Sequence, residues 1–308
     1  MDNVCHTLAG AALSRAGLGG RTRFGPAALL VSANLPDLDV LVFATEESAL
    51  AFRRGWTHGV AAQVVLPLLL TGVLWLTARS GSRSRVADPV RPAWLLALSY
   101  FGVLSHVLLD WLNTYGVRLL APFDWRWFYG DAVFIIDPWL WLVLGAGVWL
   151  ARRRGSEGPA RAAIVVAFCY IAAMYASGRL ARAAAVESWL ALGGRSPEAI
   201  MVGPVPAWPF AREVILDAGD AYVTGRLTFP SRVEWSPDRV PKSPSPRAVA
   251  AASRAGDVRG FLVWSRFPYW TVEPAGDRDE ALRVTVGDMR FRARGGERFS
   301  ASVVVPDD

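Results

Sequence analysis

His106 and Asp110 stand four residues apart in an apolar run, so on a helix both side chains leave the same face, and Asn113 continues the stripe. An imidazole and a carboxylate so placed can chelate one ion or form a polar patch that pairs helices. Inside a membrane span an Asp costs about 2.5–3.5 kcal/mol on insertion scales, so it faces a partner or a cavity. A second candidate is Asn34-Leu35-Pro36-Asp37-Leu38-Asp39. Proline pushes Leu35 out of the helical region, and a chain that stays extended through Asp39 points both carboxylates the same way. So close together, they repel unless a cation lies between them or one is protonated. The bland alternative is a solvated turn that caps the next helix, which the apolar flanks 27–33 and 40–44 disfavour. His58 opens an apolar span after Arg53-Arg54-Gly55-Trp56-Thr57, and His6 lies near the N-terminus. Each alone is read as an interfacial or hydrogen-bonded histidine. Together the three histidines of the chain gather at the same end of the expected bundle as Asp37, Asp39 and Asp110. Neutral imidazole with carboxylate is the ligand mixture of hydrolytic Zn, Mn or Fe sites. The expected metal set is therefore His6, Asp37, Asp39, His58, His106 and Asp110, with zinc the leading ion. Asp131 and Asp137 bracket the start of a further span and are open as ligands, orienters or caps.

The elements that must hold these residues follow from hydropathy. The chain has 308 residues, 53% hydrophobic and 19% charged, with 14 Trp. Its mean hydropathy of +0.27 is too apolar for an ordinary soluble domain of this size. Gly59–Ala78, Ala93–Leu112 and Ala132–Ala151 have the length and composition of spanning helices, and Ala162–Ser177 is a shorter fourth. Val4–Ala16 and Pro26–Ala33 are apolar but too short to span, with Gly17, Gly19, Gly20 and Gly25 between them, and read as a half-spanning helical hairpin. Other helices must cover such a hairpin, because lipid cannot satisfy the backbone at its broken ends.

From about Ser196, Pro-rich turns separate short β-type runs at Glu213–Leu216, Ala221–Phe229, Gly260–Trp264, Leu282–Val286 and Ser300–Val304, while Ser236–Ser253 reads as a loop. The expected fold class is an α-helical integral membrane bundle of about four spanning helices plus the N-terminal hairpin, with a small C-terminal β-rich domain. Residues 1–185 form the membrane domain carrying the His/Asp site and 186–308 the extramembrane domain. The net charge of +6 sits in short loops rather than in a basic stripe with interleaved aromatics, which argues against nucleic acid as a partner. Arg79, Arg83, Arg85 and Arg91 in one loop, and Arg152, Arg153 and Arg154 in another, place those loops in the cytoplasm. By alternation, the site and the C-terminal domain face outward. Cys5 and Cys169 form neither a disulfide framework nor a CxxC pair. The N-terminus lacks the basic region of a secretory signal and is expected to remain.

Asp2 with His6, Asn34 to Asp39, Arg54 to His58, Ser105-His106 with Asp110 to Asn113, and Tyr129-Gly130-Asp131 with Asp137-Pro138-Trp139 resemble the bacterial membrane-bound metal-dependent hydrolase family, the YdjM-like group. The resemblance covers roughly residues 1–150. It implies a helical inner-membrane protein with a metal centre whose His and Asp motifs are similar to those of zinc-dependent phospholipase C. Two positions depart from it. Arg53 stands where the family commonly has histidine, and Gly59 where it commonly has serine.

The expected activity is metal-dependent hydrolysis of a phosphoester or acyl bond at the outer face of the cytoplasmic membrane, with Asp37 or Asp131 as general base and a lipid or lipid-linked substrate reached from the bilayer. The rival is a non-catalytic membrane protein, either a structural metal or polar cluster or a transporter. A transporter would show a polar pathway through the bundle, whereas these ionisable residues gather at one end.

Overall fold

The computed structural model describes residues 1–45, 48–80, 89–229, 233–275, 281–292 and 299–306; Arg83 and Arg85 of the Arg-rich loop lie outside them. The chain forms two compact units. One comprises 1–41, 53–177 and 206–208, the other 42–52, 178–205 and 209–308.

In the first unit α1 (Asn3–Leu13) begins at Asp2, whose carboxylate accepts from the amides of Val4 and Cys5 at 3.0 and 3.1 Å, satisfying two otherwise orphaned donors. A π turn (Ser14–Leu18) and a 3-10 turn (Gly19–Arg21) break the helix where the glycines cluster. Then α2 (Gly25–Ser32) returns antiparallel to close the expected hairpin. A 3-10 helix over Leu35–Ala44 follows, bent 47° from α2, and the two together are apolar enough for one broken span or a re-entrant loop. This corrects the extended turn expected at Asp37 and Asp39. Beyond it lie α3 (Ala49–Phe52), α4 (Val60–Ser80), α5 (Pro92–Trp111), α6 (Pro138–Arg154) and α7 (Gly158–Ala191).

Among the described residues α4, α5 and α7 are long and apolar enough to cross a membrane, and the bent pair would make a fourth. The expected span Ala132–Ala151 is a 17-residue helix that starts later, because Asp137 caps it through the Trp139 and Leu140 amides and Pro138 occupies its first position. The fourth expected span is longer than its composition indicated, since α7 runs 34 residues. Close packing sets the hairpin against α5. A Cβ on Gly102 would collide with the Ser32 side chain, and one on Gly10 would lie 2.8 Å from the Leu29 carbonyl. Small residues at such crossings let backbones approach where no hydrophobic effect drives helices together. The core between α1, the end of α5, α6 and α7 is filled by Cys5, Ala12, Leu109, Leu112, Leu140, Leu144 and Met174.

The second unit carries a four-stranded sheet in the order β1 (Ala199–Val205), β2 (Trp208–Asp217), β3 (Ala221–Thr228), β4 (Val233–Pro241), and a three-stranded sheet of β5 (Pro268–Pro274), β6 (Ala281–Asp288) and β7 (Ser300–Pro306). The pairs β2–β3, β3–β4, β5–β6 and β6–β7 are antiparallel. Val214 and Leu216 alternate inward beside Val223 and Leu227, and pack on Ala181, Ala185 and Trp189. Two expectations fail here. Gly260–Trp264 is not a strand but the end of α9 (Gly256–Trp264), and Ser236–Ser253 is not a loop, since β4 extends to Pro241 and α8 (Pro246–Ala252) follows. The buried residues Val258, Phe261 and Trp264 repeat every three positions, a helical period.

Asp288 is buried between β6 and the short α10 (Met289–Arg292). It accepts from Ser265 Oγ at 2.8 Å, the Arg266 amide at 2.7 Å and Arg290 Nε at 2.9 Å. Burial alone would raise this carboxyl, but the Arg290 guanidinium and the converging donors outweigh it and hold it down at about 2. Depression below an unfolded value near 3.9 means that its contribution, on the order of 2 kcal/mol, is present above pH 4 and fades as pH falls towards 2. Asp288→Asn leaves a buried guanidinium without its counter-ion, at a cost of about 3–5 kcal/mol. Hydrogen exchange of the full chain in detergent should show β6 amides losing protection in the variant at pH 7, with the gap to wild type narrowing below pH 4. Unchanged β6 protection at pH 7 would show that the pair contributes nothing.

Candidate metal centre

Four side chains from three stretches of the first unit converge: Asp37 of the 3-10 helix, His58 just before α4, and His106 and Asp110 on α5. One ligand atom from each lies within 4.8 Å of the others, and all four residues are buried. The Nε2 atoms of His58 and His106 are 3.1 Å apart. Asp110 Oδ2 lies 3.2 Å from the first and 3.7 Å from the second, and Asp37 Oδ1 is 3.9 Å from each.

Partners behind the rings determine what the inner nitrogens offer. His106 Nδ1 is 2.7 Å from the Ala33 carbonyl, which can only accept, so Nδ1 carries the proton and Nε2 turns a lone pair inward. Behind His58, Nδ1 is 3.0 Å from Thr57 Oγ1 and 3.5 Å from Asp39 Oδ2, an arrangement that favours the same tautomer. Two lone pairs facing each other at 3.1 Å repel without a cation between them. A tetrahedral ion with bonds of 2.0–2.1 Å holds its ligand atoms about 3.3 Å apart, close to the two shortest of these separations. The donor set and its spacing thus fit a divalent ion.

The remaining expected residues take different places. Asp39 accepts from the Arg54 amide at 2.7 Å, Arg53 Nε at 3.3 Å and Thr57 Oγ1 at 3.3 Å, so it stands behind His58 rather than in the group of four. His6 stacks on His106 with ring centroids 3.7 Å apart, and its Nε2 lies 3.3 Å from Asp110 Oδ1, the oxygen that the Met1 amino group also meets. His6 Nδ1 and Asn113 Nδ2 are buried without a hydrogen-bond partner. Asp131 is outside the four. It lies at positive φ in a loop whose Gly130 and Ala132 amides bond the Trp111 and Leu112 carbonyls at the end of α5. Asp137 serves as the α6 cap and also accepts from Tyr170 Oη at 3.0 Å.

Arg54 was not among the expected site residues. Its Nε lies 3.0 Å from Asp110 Oδ2, Nη1 donates to Asn113 Oδ1 at 3.1 Å, Nη2 donates to the Met1 carbonyl at 3.3 Å, and its guanidinium sits over Tyr115. The signal was an arginine inside an apolar, aromatic stretch, where a buried cation needs an anion. Gly59 has a local reason: a Cβ there would run into the Ala121 backbone, so a larger residue would displace that loop.

A family model described as YdjM inner membrane protein matches residues 1–181, more than half of the chain. An uncharacterized protein of Bacillus subtilis (strain 168), YfhP, is 24% identical over 284 residues, which is 91% of this chain and 81% of that one. No solved structure matches.

Proposed function

The chain belongs to the YdjM inner membrane protein family, and on that premise we propose that it is a metal-dependent hydrolase of the cytoplasmic membrane, acting on a phosphoester or acyl bond of a lipid or lipid-linked substrate. The observation that carries the reading is the pair of inward-turned imidazole nitrogens with Asp110 and Asp37 beside them. These four would hold the ion, zinc first and Mn or Fe next, with His6 available on the far oxygen of Asp110. A divalent ion there supplies Lewis acidity, polarising a phosphoryl or acyl oxygen and lowering the pKa of a water towards about 7. Asp39 and the Ala33 carbonyl orient the two imidazoles. Arg54 neutralises Asp110. A carboxylate not fully used as a ligand, either Asp37 or Asp131 in the loop bonded to the end of α5, would take the proton from the attacking water. The positive-inside rule applied to the arginine-rich loops, with alternation of the spans, supports an outward-facing site and outward-facing residues 186–308.

The test is elemental analysis of detergent-purified protein, with chelator-treated protein as zero and reporter fusions after Arg154 and after Asp308 read in the same strain. Close to one equivalent of Zn, Mn or Fe is expected, with opposite compartments for the two fusions. Well-folded protein without metal sinks the hydrolase reading, and two cytoplasmic fusions move the site to the inner face. The burial of all four side chains favours a second reading, a closed structural metal. In that case stoichiometric metal would accompany no release of phosphate or fatty acid from any lipid tried.

A further inference from the structure

The helix α6 joins the two ends of the first unit. Just before it, the Ile135 carbonyl accepts from the Asp2 amide at 3.1 Å, on the side of the metal centre. Its last turn carries Arg152, Arg153 and Arg154, and at 1.5 Å per residue Arg154 stands about 24 Å from Pro138. The glycine-rich turn after α1 lies beside this far end, where Arg161 Nε donates to the Ala16 carbonyl at 2.9 Å, and it adds Arg15. Against these arginines the described residues offer one acid here, Glu157, and it is paired with Arg161. Arg15, Arg152, Arg153 and Arg154 are exposed and have no carboxylate within ion-pair distance among the described residues. Arg153 lies instead over the exposed Trp149 ring, at 4.7 Å.

Arg154 also heads a groove between α6 and α7. The walls of the groove are apolar, with Val143 and Leu150 on α6 and Ala162 and Val166 on α7, and Val166 is 51% exposed. Its floor is closed where the helices touch, since a Cβ on Gly147 would collide with that of Ala163. Because α7 is long and apolar enough to cross a membrane, the occupant has to match hydrocarbon along the walls and an uncompensated cation at the head. We propose that this groove binds a phospholipid with an anionic headgroup, its phosphate held by Arg154 and one acyl chain laid along Val143, Leu150 and Val166. A guanidinium presents paired donors to phosphate oxygens. Clustered cations at the edge of the bilayer favour acidic over zwitterionic lipid. A second copy of the chain is the poorer occupant, because two-fold pairing through this face would bring two such arginine clusters together with no free acid between them.

The experiment compares full-length wild type, Arg154→Gln, Arg154→Lys, Ala162→Phe and Arg79→Gln by native mass spectrometry from one detergent. Each is offered dioleoyl phosphatidylglycerol or dioleoyl phosphatidylcholine at equal concentration, after circular dichroism has shown it to be folded. Wild type should hold phosphatidylglycerol at least fivefold more tightly than phosphatidylcholine. Arg154→Gln should lose that preference, and Arg154→Lys should keep part of it as a point charge without the fork. Ala162→Phe fills the groove and leaves every charge in place, and should weaken phosphatidylglycerol binding at least fivefold. Should it fail to fold, the two Arg154 variants decide alone, since that side chain is exposed. Arg79, on α4 and outside the groove, is the charge control, and Arg79→Gln should bind as wild type does. Equal affinity of wild type for the two lipids, or wild-type binding by folded Arg154→Gln or Ala162→Phe, overturns the proposal. A preference lowered as much by Arg79→Gln as by Arg154→Gln makes it a property of overall charge and overturns the site. Displacement of the lipid by inorganic phosphate at equal concentration reduces the groove to a free-anion site and overturns the lipid.

Discussion

His106→Ala should yield protein with essentially no bound divalent metal, and Asp110→Asn should do nearly the same. The His106 imidazole has no substitute: its Nε2 lies 3.1 Å from that of His58 and its ring is held by the Ala33 carbonyl and the stacked His6. The site is buried, so solvent cannot supply an anchored replacement donor. A ligand that orients a shared ion also supports the other contacts, so losses within the group do not add. The double variant should therefore hold hardly less metal than either single one. Asp124→Ala is the control, because Asp124 pairs with Arg126 in a loop away from the four ligands; it should keep the metal. Elemental analysis of the purified variants, with circular dichroism to establish that each is folded, decides the matter. Stoichiometric metal in folded His106→Ala would leave a polar cluster that pairs helices and nothing more.

Residue spacing alone makes much of the site legible in the sequence. His106 and Asp110 four apart on an apolar helix can only share a face. The glycine-broken pair of short apolar runs became α1 and α2 close to the expected limits. What spacing could not carry was direction. Asp37 and Asp39 sit on a 3-10 helix, where residues two apart diverge, so one joins the ligand group and the other stands behind His58. The strand expected at Gly260–Trp264 failed because a short apolar run fits either period, and only Val258, three residues before Phe261, tips it to helix. Likewise Pro237, Pro241, Pro244 and Pro246 read as loop punctuation, yet Pro237 lies within β4 where its pairing with β3 shifts register. Pro241 ends β4 and Pro246 starts α8, both positions at which proline removes no needed donor. The role of Arg54 is not legible in the sequence because it depends on Asp110, distant in sequence and brought close only by the packing of α5 beside the His58 turn.

Arg54→Ala should make folding depend on metal. In the metal-free protein Asp110 is wholly buried, and its charge is balanced by Arg54 and the Met1 amino group. Removing one partner of a buried ion pair typically costs about 3–5 kcal/mol, and the amino group that remains should keep the loss near the lower figure. Alanine adds no backbone strain of its own, since residue 54 already holds a positive φ with a side chain attached. About 3 kcal/mol corresponds to a fall of roughly 6–12 °C in the apparent melting temperature of a domain this size. A divalent ion can take over the neutralisation of Asp110. It also stabilises the folded state by mass action, about 2.7 kcal/mol at a hundredfold excess over its dissociation constant. Saturating metal should therefore raise the melting temperature of Arg54→Ala more than that of wild type and close most of the gap. Arg54→Lys keeps the charge but not the contacts to Asn113 and the Met1 carbonyl, and should fall between. The measurement is thermal unfolding of the three proteins with and without metal, followed by tryptophan fluorescence in one detergent. A gap of the same size in both conditions would mean that Arg54 acts as a scaffold for the loop and not as the counter-ion of Asp110.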